Sequence, residues 1–467
     1  MIQNKKKQSL MLILLILITA INGIIYIIII PPWQSPDEPT HFEYVQLLAD
    51  SKTIFGSIAP NFSLQERIIS SMDHHYFWKY LGWPRPQPLP LKFEDTPFLR
   101  LVRAHTQIGR KPPLYYFLSS LLLRISPQNS IIYKLYLLRS FSLLLTVVTV
   151  ILIYLSARLI FPKDIYFPLA SAAFAAFLPE FILIGTSVSL DPLANLMSAL
   201  FMYLMIKLQF RGVKYNLLTV IVFILILSAL VTYKCLTLVP IFILGICVYI
   251  LCSPDVRKGW WQIILAMSGL LFACVVFYSY LVWRNPRIAE IFIIKASDLY
   301  YKIISLLRGD LHLATYYYPW LHNEVFKSFW IKFGWTMYSV NPIYYLILKV
   351  ISIIALIGLI IFLIKLVIIK NYASLGVRRS IFTLIISGVI VLIVYYWYWG
   401  LGARHVTAQG RHLFVGLPAW AILFVLGLRE LFPKKFRILP YLFVFIGFVM
   451  FDIVSIFGYI IPVFYNY

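Results

Sequence analysis

Charged residues are scarce in this chain. They make up 13% of its 467 residues, whereas about a quarter of the residues of a soluble domain are charged. Aspartate and glutamate are rarer still, 18 residues against 41 lysines and arginines. This scarcity excludes an ordinary soluble protein, and the 61% of hydrophobic residues indicates a polytopic membrane protein.

Metal-ligand and nucleotide-binding patterns are also missing. The cysteines have no metal-ligand spacing and lie in or beside apolar runs, so we interpret them as buried thiols: Cys235, Cys247, Cys252 and Cys274. The sequence has no G-x-x-x-x-G-K-[ST] phosphate-binding loop, so it gives no support to an activity driven by nucleotide hydrolysis, and it has no H-E-x-x-H zinc motif. No internal repeat is evident, which disfavours a transporter built from inverted halves.

The net charge of +23 would suit a nucleic-acid partner. The basic residues, however, are scattered in short clusters between apolar runs and never gather on one face. This pattern is typical of cytoplasmic loops and of contact with anionic lipid headgroups. We therefore expect membrane lipids as partners and no nucleic acid.

Long apolar runs fill most of the chain. Lys5, Lys6 and Lys7 precede the run at 9–30, which indicates a retained signal anchor with a cytoplasmic N-terminus. The predicted fold is an all-α polytopic membrane protein with about eleven to thirteen transmembrane helices. Residues 112–126 are short, so either they do not cross fully or they act with the next segment as one span. The other apolar segments are 139–160, 166–184, 190–209, 215–233, 236–252, 260–282, 343–369, 380–400, 411–428 and 438–463.

This orientation predicts five parts, with a large first extracytoplasmic loop. They are the N-terminal tail and first helix (1–30), the first loop (31–111), a helix bundle (112–283), a second extracytoplasmic, amphipathic and aromatic loop (284–342), and C-terminal helices (343–467). We expect the protein in the plasma membrane.

Two adjacent acids, Asp37 and Glu38, follow the first span within SPDEPTHFEYV. Pro36 and Pro39 flank them and disfavour a continuous helix, which predicts a short stiff turn. Such a pair suits base catalysis or cation binding; alternatively, Asp37 caps a helix and Glu38 complements its dipole. His41, four residues after Asp37, is either a supporting partner or an interfacial histidine.

Further polar residues fall on the same predicted side. Asp191, in a largely apolar region, either faces a cavity or caps a helix that starts at Pro192. Lys234 either reaches a phosphate or snorkels to the interface. The basic segment ending at His412 offers a phosphate clamp or an interfacial anchor.

The chain resembles the C-type (GT-C) membrane glycosyltransferase superfamily, which includes protein O-mannosyltransferases and lipid A aminoarabinose transferases. The resemblance lies in the acidic pair after span one, GRKPPLYYFLSSLLLR at 109–124 and SVSLDPLANL at 187–196. It is closer still to a related bacterial and archaeal family of unknown function with P-P-D-E-P-x-H-F, S-F-W-x-x-F-G-W and Q-G-R-Y elements. Here they read PDEPTHF, SFWIKFGW at 328–335 and QGRHLFVGLP at 409–418.

The resemblance implies a glycosyltransferase that uses a polyprenyl-phosphate-linked sugar donor on the extracytoplasmic face. Asp37 would be the general base, with Glu38 beside it as a second catalytic residue or a ligand of a divalent metal ion, the one cofactor considered. Lys111 stands where the enzymes often have histidine, and His412 replaces the commoner tyrosine. The expected donor and substrate contacts are Arg411, Arg404, His405, His412, Gln409, Lys234, Asp191, Lys111 and His41.

The acceptor would be a cell-envelope glycan, lipid or protein. Two other functions stay open: a flippase or exporter of a lipid-linked saccharide, and an envelope-assembly scaffold without chemistry. An enzyme of this kind gathers its ionisable groups at one membrane face, whereas a transporter distributes them through the bilayer midplane.

Overall fold

The computed structural model describes residues 2–51, 61–82, 112–252, 318–369, 371–402 and 409–465, with the isolated residues 269, 304 and 308. Nearly all of this is helix. The helices are α1 (Ile2–Ile29), α2 (Glu38–Asp50), α3 (Phe62–His74), α4 (Phe77–Leu81), α5 (Leu114–Arg124), α6 (Ile131–Ile160), α7 (Tyr166–Ala176), α8 (Pro179–Gly185), α9 (Asp191–Arg211), α10 (Tyr215–Ala229), α11 (Leu238–Leu251), α12 (Tyr318–Trp330), α13 (Pro342–Ile368), α14 (Leu375–Gly402), α15 (Leu417–Glu430), α16 (Ile438–Ser455) and α17 (Ile461–Tyr465).

Short elements connect several of these helices. The turns of 3-10 helix are Tyr233–Thr237, Gly410–Gly416 and Lys434–Phe436, and a π-helical turn, Ile456–Ile460, joins α16 to α17. Strands β1 (Lys332–Phe333) and β2 (Tyr338–Ser339) form an antiparallel hairpin in which Lys332 pairs with Ser339.

The class predicted from composition is confirmed: this is an all-α polytopic membrane protein. Eight helical segments within the described ranges are long and apolar enough to cross a membrane, or nine if α7 and α8, bent by 65°, form one broken span. Their outward side chains include many exposed leucines and isoleucines on α1, α13 and α16, as expected where the solvent is lipid. The predicted segment at 260–282 lies outside the described residues.

Residues 112–126 contain a helix that is too short to cross the membrane by itself. Helix α5 has 11 residues, a length of about 16 Å at 1.5 Å per residue, roughly half the hydrocarbon core. Its first amide, at Leu114, donates to the Leu230 carbonyl, and Arg124 near its end donates to the carbonyls of Leu48 and Ser51 beside α2. Helix α5 therefore packs on α2 at one end of the bundle, the first of the two arrangements expected.

Small residues bring the spans close together. A Cβ on Gly358 of α13 would come within 2.0 Å of the Gly427 carbonyl on α15, and one on Gly427 within 1.9 Å of the Ala355 carbonyl. Close backbone approach is how helices gain contact in lipid, where the hydrophobic effect does not drive them together. Substituting either glycine would force α13 and α15 apart.

Candidate active site

Asp37 occupies a strained turn between α1 and α2. Its φ and ψ are 63° and 5°, a left-handed conformation that aspartate tolerates better than most residues. Its side chain makes no capping hydrogen bond to α2, so the capping alternative does not describe it. Instead, Oδ2 accepts a hydrogen bond of 2.8 Å from Nη2 of Arg411, and the side chain is 47% exposed.

Glu38 points the opposite way, into the protein, and is fully buried. Its two carboxylate oxygens accept from Nε and Nη2 of Arg139 at 2.9 and 2.6 Å. The amides of Trp33 and Val188 also donate to it, each at 3.2 Å. Arg139 in turn donates to the carbonyls of Ile27, Ile30 and Pro31 at the end of α1. This pair therefore ties α1, α6 and the segment before α9 to the acidic turn.

The structure corrects the role expected for Glu38. A catalytic carboxylate must reach substrate, and a metal ligand needs lone pairs that face a cation. Both oxygens of Glu38 are instead occupied by a guanidinium, whose charge would also repel a metal ion. Glu38 does not fit a divalent cation, and no group of three His, Cys, Asp or Glu side chains able to hold one occurs among the described residues. Its contacts instead hold the acidic turn in place.

Asp37 belongs to a chain of four alternating charges. Nη1 of Arg411 lies 3.8 Å from Oδ2 of Asp191, and Oδ1 of Asp191 accepts from Lys234 Nζ at 2.7 Å. Four separate elements deliver these side chains: the turn before α2, the start of α9, the 3-10 turn before α11, and the 3-10 turn before α15. Asp191 and Arg411 are buried, whereas Lys234 is 30% exposed. The cluster opens to the surface at Asp37 and Lys234.

Arg139 and Arg411, two of the four buried arginines among the described residues, differ in how fully they are bonded. Arg139 makes five hydrogen bonds, which matches the five donors of a guanidinium. Within the described residues Arg411 makes one, to Asp37, and its Nε is buried without a hydrogen-bond partner there, as are those of Arg379 and Arg429. An unsatisfied buried donor is costly. Among the described residues, Arg411 therefore has donors left that can bind an anion, and Arg139 has none.

His41 and Tyr116 form a pair on the inner side of the acidic turn. Nδ1 of His41 lies 2.8 Å from the Tyr116 hydroxyl, and the rings stack with centroids 5.9 Å apart. Burial raises the pKa of Tyr116 well above its usual value, so its hydroxyl keeps its proton. Of the two roles considered for His41, this buried contact favours a supporting partner over an interfacial histidine.

The QGR and SFW elements meet at Gly410. Its amide donates to Ser328 Oγ at 2.7 Å, and a Cβ there would come within 2.2 Å of the Phe329 nitrogen. Only glycine fits this approach, and it sets the position of Arg411 next in the chain. The main-chain carbonyl of Gln409 accepts from the Tyr395 hydroxyl at 3.2 Å. The side-chain Oε1 of Gln409 is buried without a hydrogen-bond partner among the described residues.

The aromatic SFW element packs inside the protein. Trp330, Ile331 and Phe333 are buried. Trp335, which has a positive φ of 56°, donates from Nε1 to the main-chain carbonyl of Trp33, another residue with positive φ, at 3.0 Å. The hairpin therefore supports the acidic turn from the side.

The remaining candidates divide into two groups. His412 is half-buried and close enough to Asp191 to interact with it electrostatically. Lys111, Arg404 and His405 lie outside the described residues, so their expected roles stay predictions. The structure thus brings together Asp37, Asp191, Lys234, Arg411 and His412.

Sequence reasoning missed three residues. Arg139 lies in an apolar segment, as does Glu180, which is buried and accepts from the Lys332 amide at 2.9 Å; the third is Tyr116. A charge within a predicted span is by itself a sign of a buried partner, and this signal could have found Arg139 and Glu180. Nothing in the sequence singles out Tyr116 among 32 tyrosines.

No family model matches this chain, and no curated protein does. Among solved structures, the chain is similar to ArnT from Cupriavidus metallidurans bound to undecaprenyl phosphate, with 13% sequence identity and a TM-score of 0.45. The alignment covers 96% of this chain and 73% of that one. A likeness this weak says nothing about the activity of this protein.

Proposed function

We propose that this protein is a membrane glycosyltransferase that transfers a sugar from a polyprenyl-phosphate-linked donor to a cell-envelope acceptor at the end of the bundle that holds Asp37. The observation that carries this proposal is the under-bonded Arg411, buried between Asp37 and Asp191 with Lys234 beside them. The site thus combines an exposed carboxylate, that of Asp37, with a guanidinium that can bind an anion, that of Arg411. These are the two functions that glycosyl transfer from a phosphate leaving group needs.

The chemistry follows from these positions. The Asp37 carboxylate takes the proton of an acceptor hydroxyl, and the hydroxyl oxygen forms a bond to the anomeric carbon. The bond from that carbon to the phosphate oxygen breaks, and polyprenyl phosphate leaves with the electron pair. Arg411 and Lys234 hold the phosphate as its negative charge grows. A phosphate leaving group needs no strong acid, so one carboxylate base is sufficient.

The distribution of charges favours an enzyme over a transporter. The described ion pairs lie at the two ends of the spans. One end holds the cluster of Asp37, Asp191, Lys234 and Arg411. At the other end, Glu430 lies 2.7 Å from Lys365 and 3.9 Å from Arg437, and Asp164 lies 3.7 Å from Arg429. The buried Asp452 bonds Tyr26 in the last turn of α1, near the first end. A transport pathway would instead need such groups through the midplane.

The positive-inside rule supports placing the Asp37 end outside. Basic residues at the opposite end include Lys163, Lys207, Arg211, Lys214, Lys365, Arg378, Lys434 and Lys435, as in cytoplasmic loops. The site would then meet an isoprenoid-linked donor and an envelope acceptor on the same face. We propose the plasma membrane as its location.

Mass spectrometry of envelope glycans, lipids and glycoproteins tests the proposal directly. A strain that lacks the protein should lose one sugar modification. Wild type should restore it and Asp37→Asn should not. Asp50→Asn, which removes the same charge from the far end of α2, should restore it. If deletion changes no glycan, lipid or protein glycosylation, the protein is not a glycosyltransferase of the envelope.

A further inference from the structure

The base of the proposed reaction is occupied in this structure. Oδ2 of Asp37, an atom that would take the acceptor proton, already accepts a hydrogen bond from Arg411 at 2.8 Å. A carboxylate that is paired with a guanidinium is a poorer proton acceptor than a free one, because the positive charge stabilises the unprotonated form. Within the described part of the chain, Arg411 also has donors without a partner, Nε among them, which remain for a phosphate. The Arg411 side chain therefore bonds the base, Asp37, and is also the group that would bind the donor phosphate.

The two members of this pair are held very differently. Arg411 is 6% exposed and follows Gly410, which is fixed against Phe329 and Ser328. Asp37 is 47% exposed and sits in a left-handed turn between two prolines. When the pair separates, the exposed carboxylate can move toward water, whereas the guanidinium stays buried.

The charge of the cluster also favours replacement of one of its carboxylates by a phosphate. Asp37, Asp191, Arg411 and Lys234 together carry two negative and two positive charges. An anionic phosphate added to this neutral set meets two cations that are already paired with carboxylates. It binds best when one carboxylate gives up its place. Asp191 is buried and bonded to Lys234 at 2.7 Å, whereas the Asp37 side chain is 47% exposed, so Asp37 is the carboxylate expected to move away from Arg411.

We propose that the donor phosphate displaces Asp37 from Arg411, and that donor binding thereby activates the base. This inference rests on the proposed function and adds an order to it: the donor binds first, and only then does Asp37 accept a proton from the acceptor. Without donor, the hydrogen bond from Arg411 makes Asp37 a weaker base. Competition of this kind is a coupling between two ligands of one guanidinium, and it is reciprocal: whatever removes Asp37 strengthens phosphate binding.

The test measures the affinity of purified protein for polyprenyl phosphate in nanodiscs. Asp37→Asn should bind it about tenfold more tightly than wild type, within the range usual for coupled sites. Asp50→Asn is the matched control, because Asp50 is the same residue type on the same helix about 20 Å away. It should leave the affinity unchanged, which separates the local pair from a general loss of negative charge.

A second variant protects the test against misfolding. Asp37→Gly also removes the carboxylate, and glycine adopts the left-handed conformation at position 37 without strain; it should show the same tightening. Equal or weaker binding by both variants would overturn the exchange while leaving the proposed function intact. If neither wild type nor any variant binds polyprenyl phosphate, the proposed function falls, and the exchange falls with it.

Discussion

Asp37 and Glu38 are neighbours in the chain, yet their carboxylates bind two different arginines on opposite sides of one turn. Asp37 faces the opening of the site and bonds Arg411; Glu38 faces the interior and bonds Arg139. The two carboxylates therefore differ in both partner and exposure. Asp37 is exposed at the opening, and Glu38 holds the turn in which Asp37 is strained.

Asp37→Asn should abolish transfer with the fold intact, because the amide keeps the shape of the side chain and loses the base. Losing a general base commonly costs about a hundredfold to ten-thousandfold in rate. Transfer by purified protein checks this, with Asp50→Asn as the matched control. Turnover by the Asp37 variant within a few fold of wild type would mean that Asp37 is not the general base.

Glu38→Gln should act on stability. Breaking a buried ion pair on one side leaves Arg139 with an uncompensated charge and costs about 3–5 kcal/mol. We expect a lower melting temperature in detergent and less folded protein in the membrane. The exposed Glu66→Gln on α3 should change neither. Adding Arg139→Met to Glu38→Gln should recover part of the stability, because the second change removes the unpaired charge. A Glu38→Gln variant that is stable but inactive would instead indicate that Glu38 takes part in the reaction.

Arg411→Lys should weaken donor binding. A guanidinium can grip two phosphate oxygens through parallel hydrogen bonds, which an ammonium group cannot reproduce, and the expected loss is about 1–3 kcal/mol. Binding of purified donor measures it. Arg67→Lys, at an exposed arginine on α3, is the control and should bind as wild type. Unchanged affinity in the Arg411 variant would mean that this residue is an anchor and not a phosphate ligand.

Cysteine labelling should place the two ends of the bundle on opposite sides of the membrane. Ser35 and Gly410 lie beside the charged cluster but are buried, so the reporters belong at exposed positions. Ser63→Cys on α3 should react with an impermeant thiol reagent in intact cells, and Ser374→Cys, before α14, only after permeabilisation. The protein with its native cysteines alone gives the background. Labelling of Ser374→Cys in intact cells would contradict the orientation.

Several features of the site could be read from the sequence because they depend on local order. Two acids between prolines at the end of a span mark a turn at the membrane surface, which identified Asp37, and an isolated acid in a largely apolar region identified Asp191. The resemblance to known transferases added Arg411 through its QGR element. The role of Glu38 was not readable, because nothing in the sequence tells which of two adjacent acids faces inward.

The sequence by itself determined the class of protein, because runs of about twenty apolar residues can lose water only in a bilayer or in a packed helical core. It also determined where the charges would interrupt those runs. Tertiary structure decided which charges meet: Asp37 pairs with a residue 374 positions away, and Glu38 with one 101 positions away. Such pairs depend on how four or five helices pack, and no local pattern encodes that packing. The same packing gives Arg139 acceptors from Glu38 and from the end of α1 for all five donors, and it leaves Nε of Arg411 without a partner among the described residues.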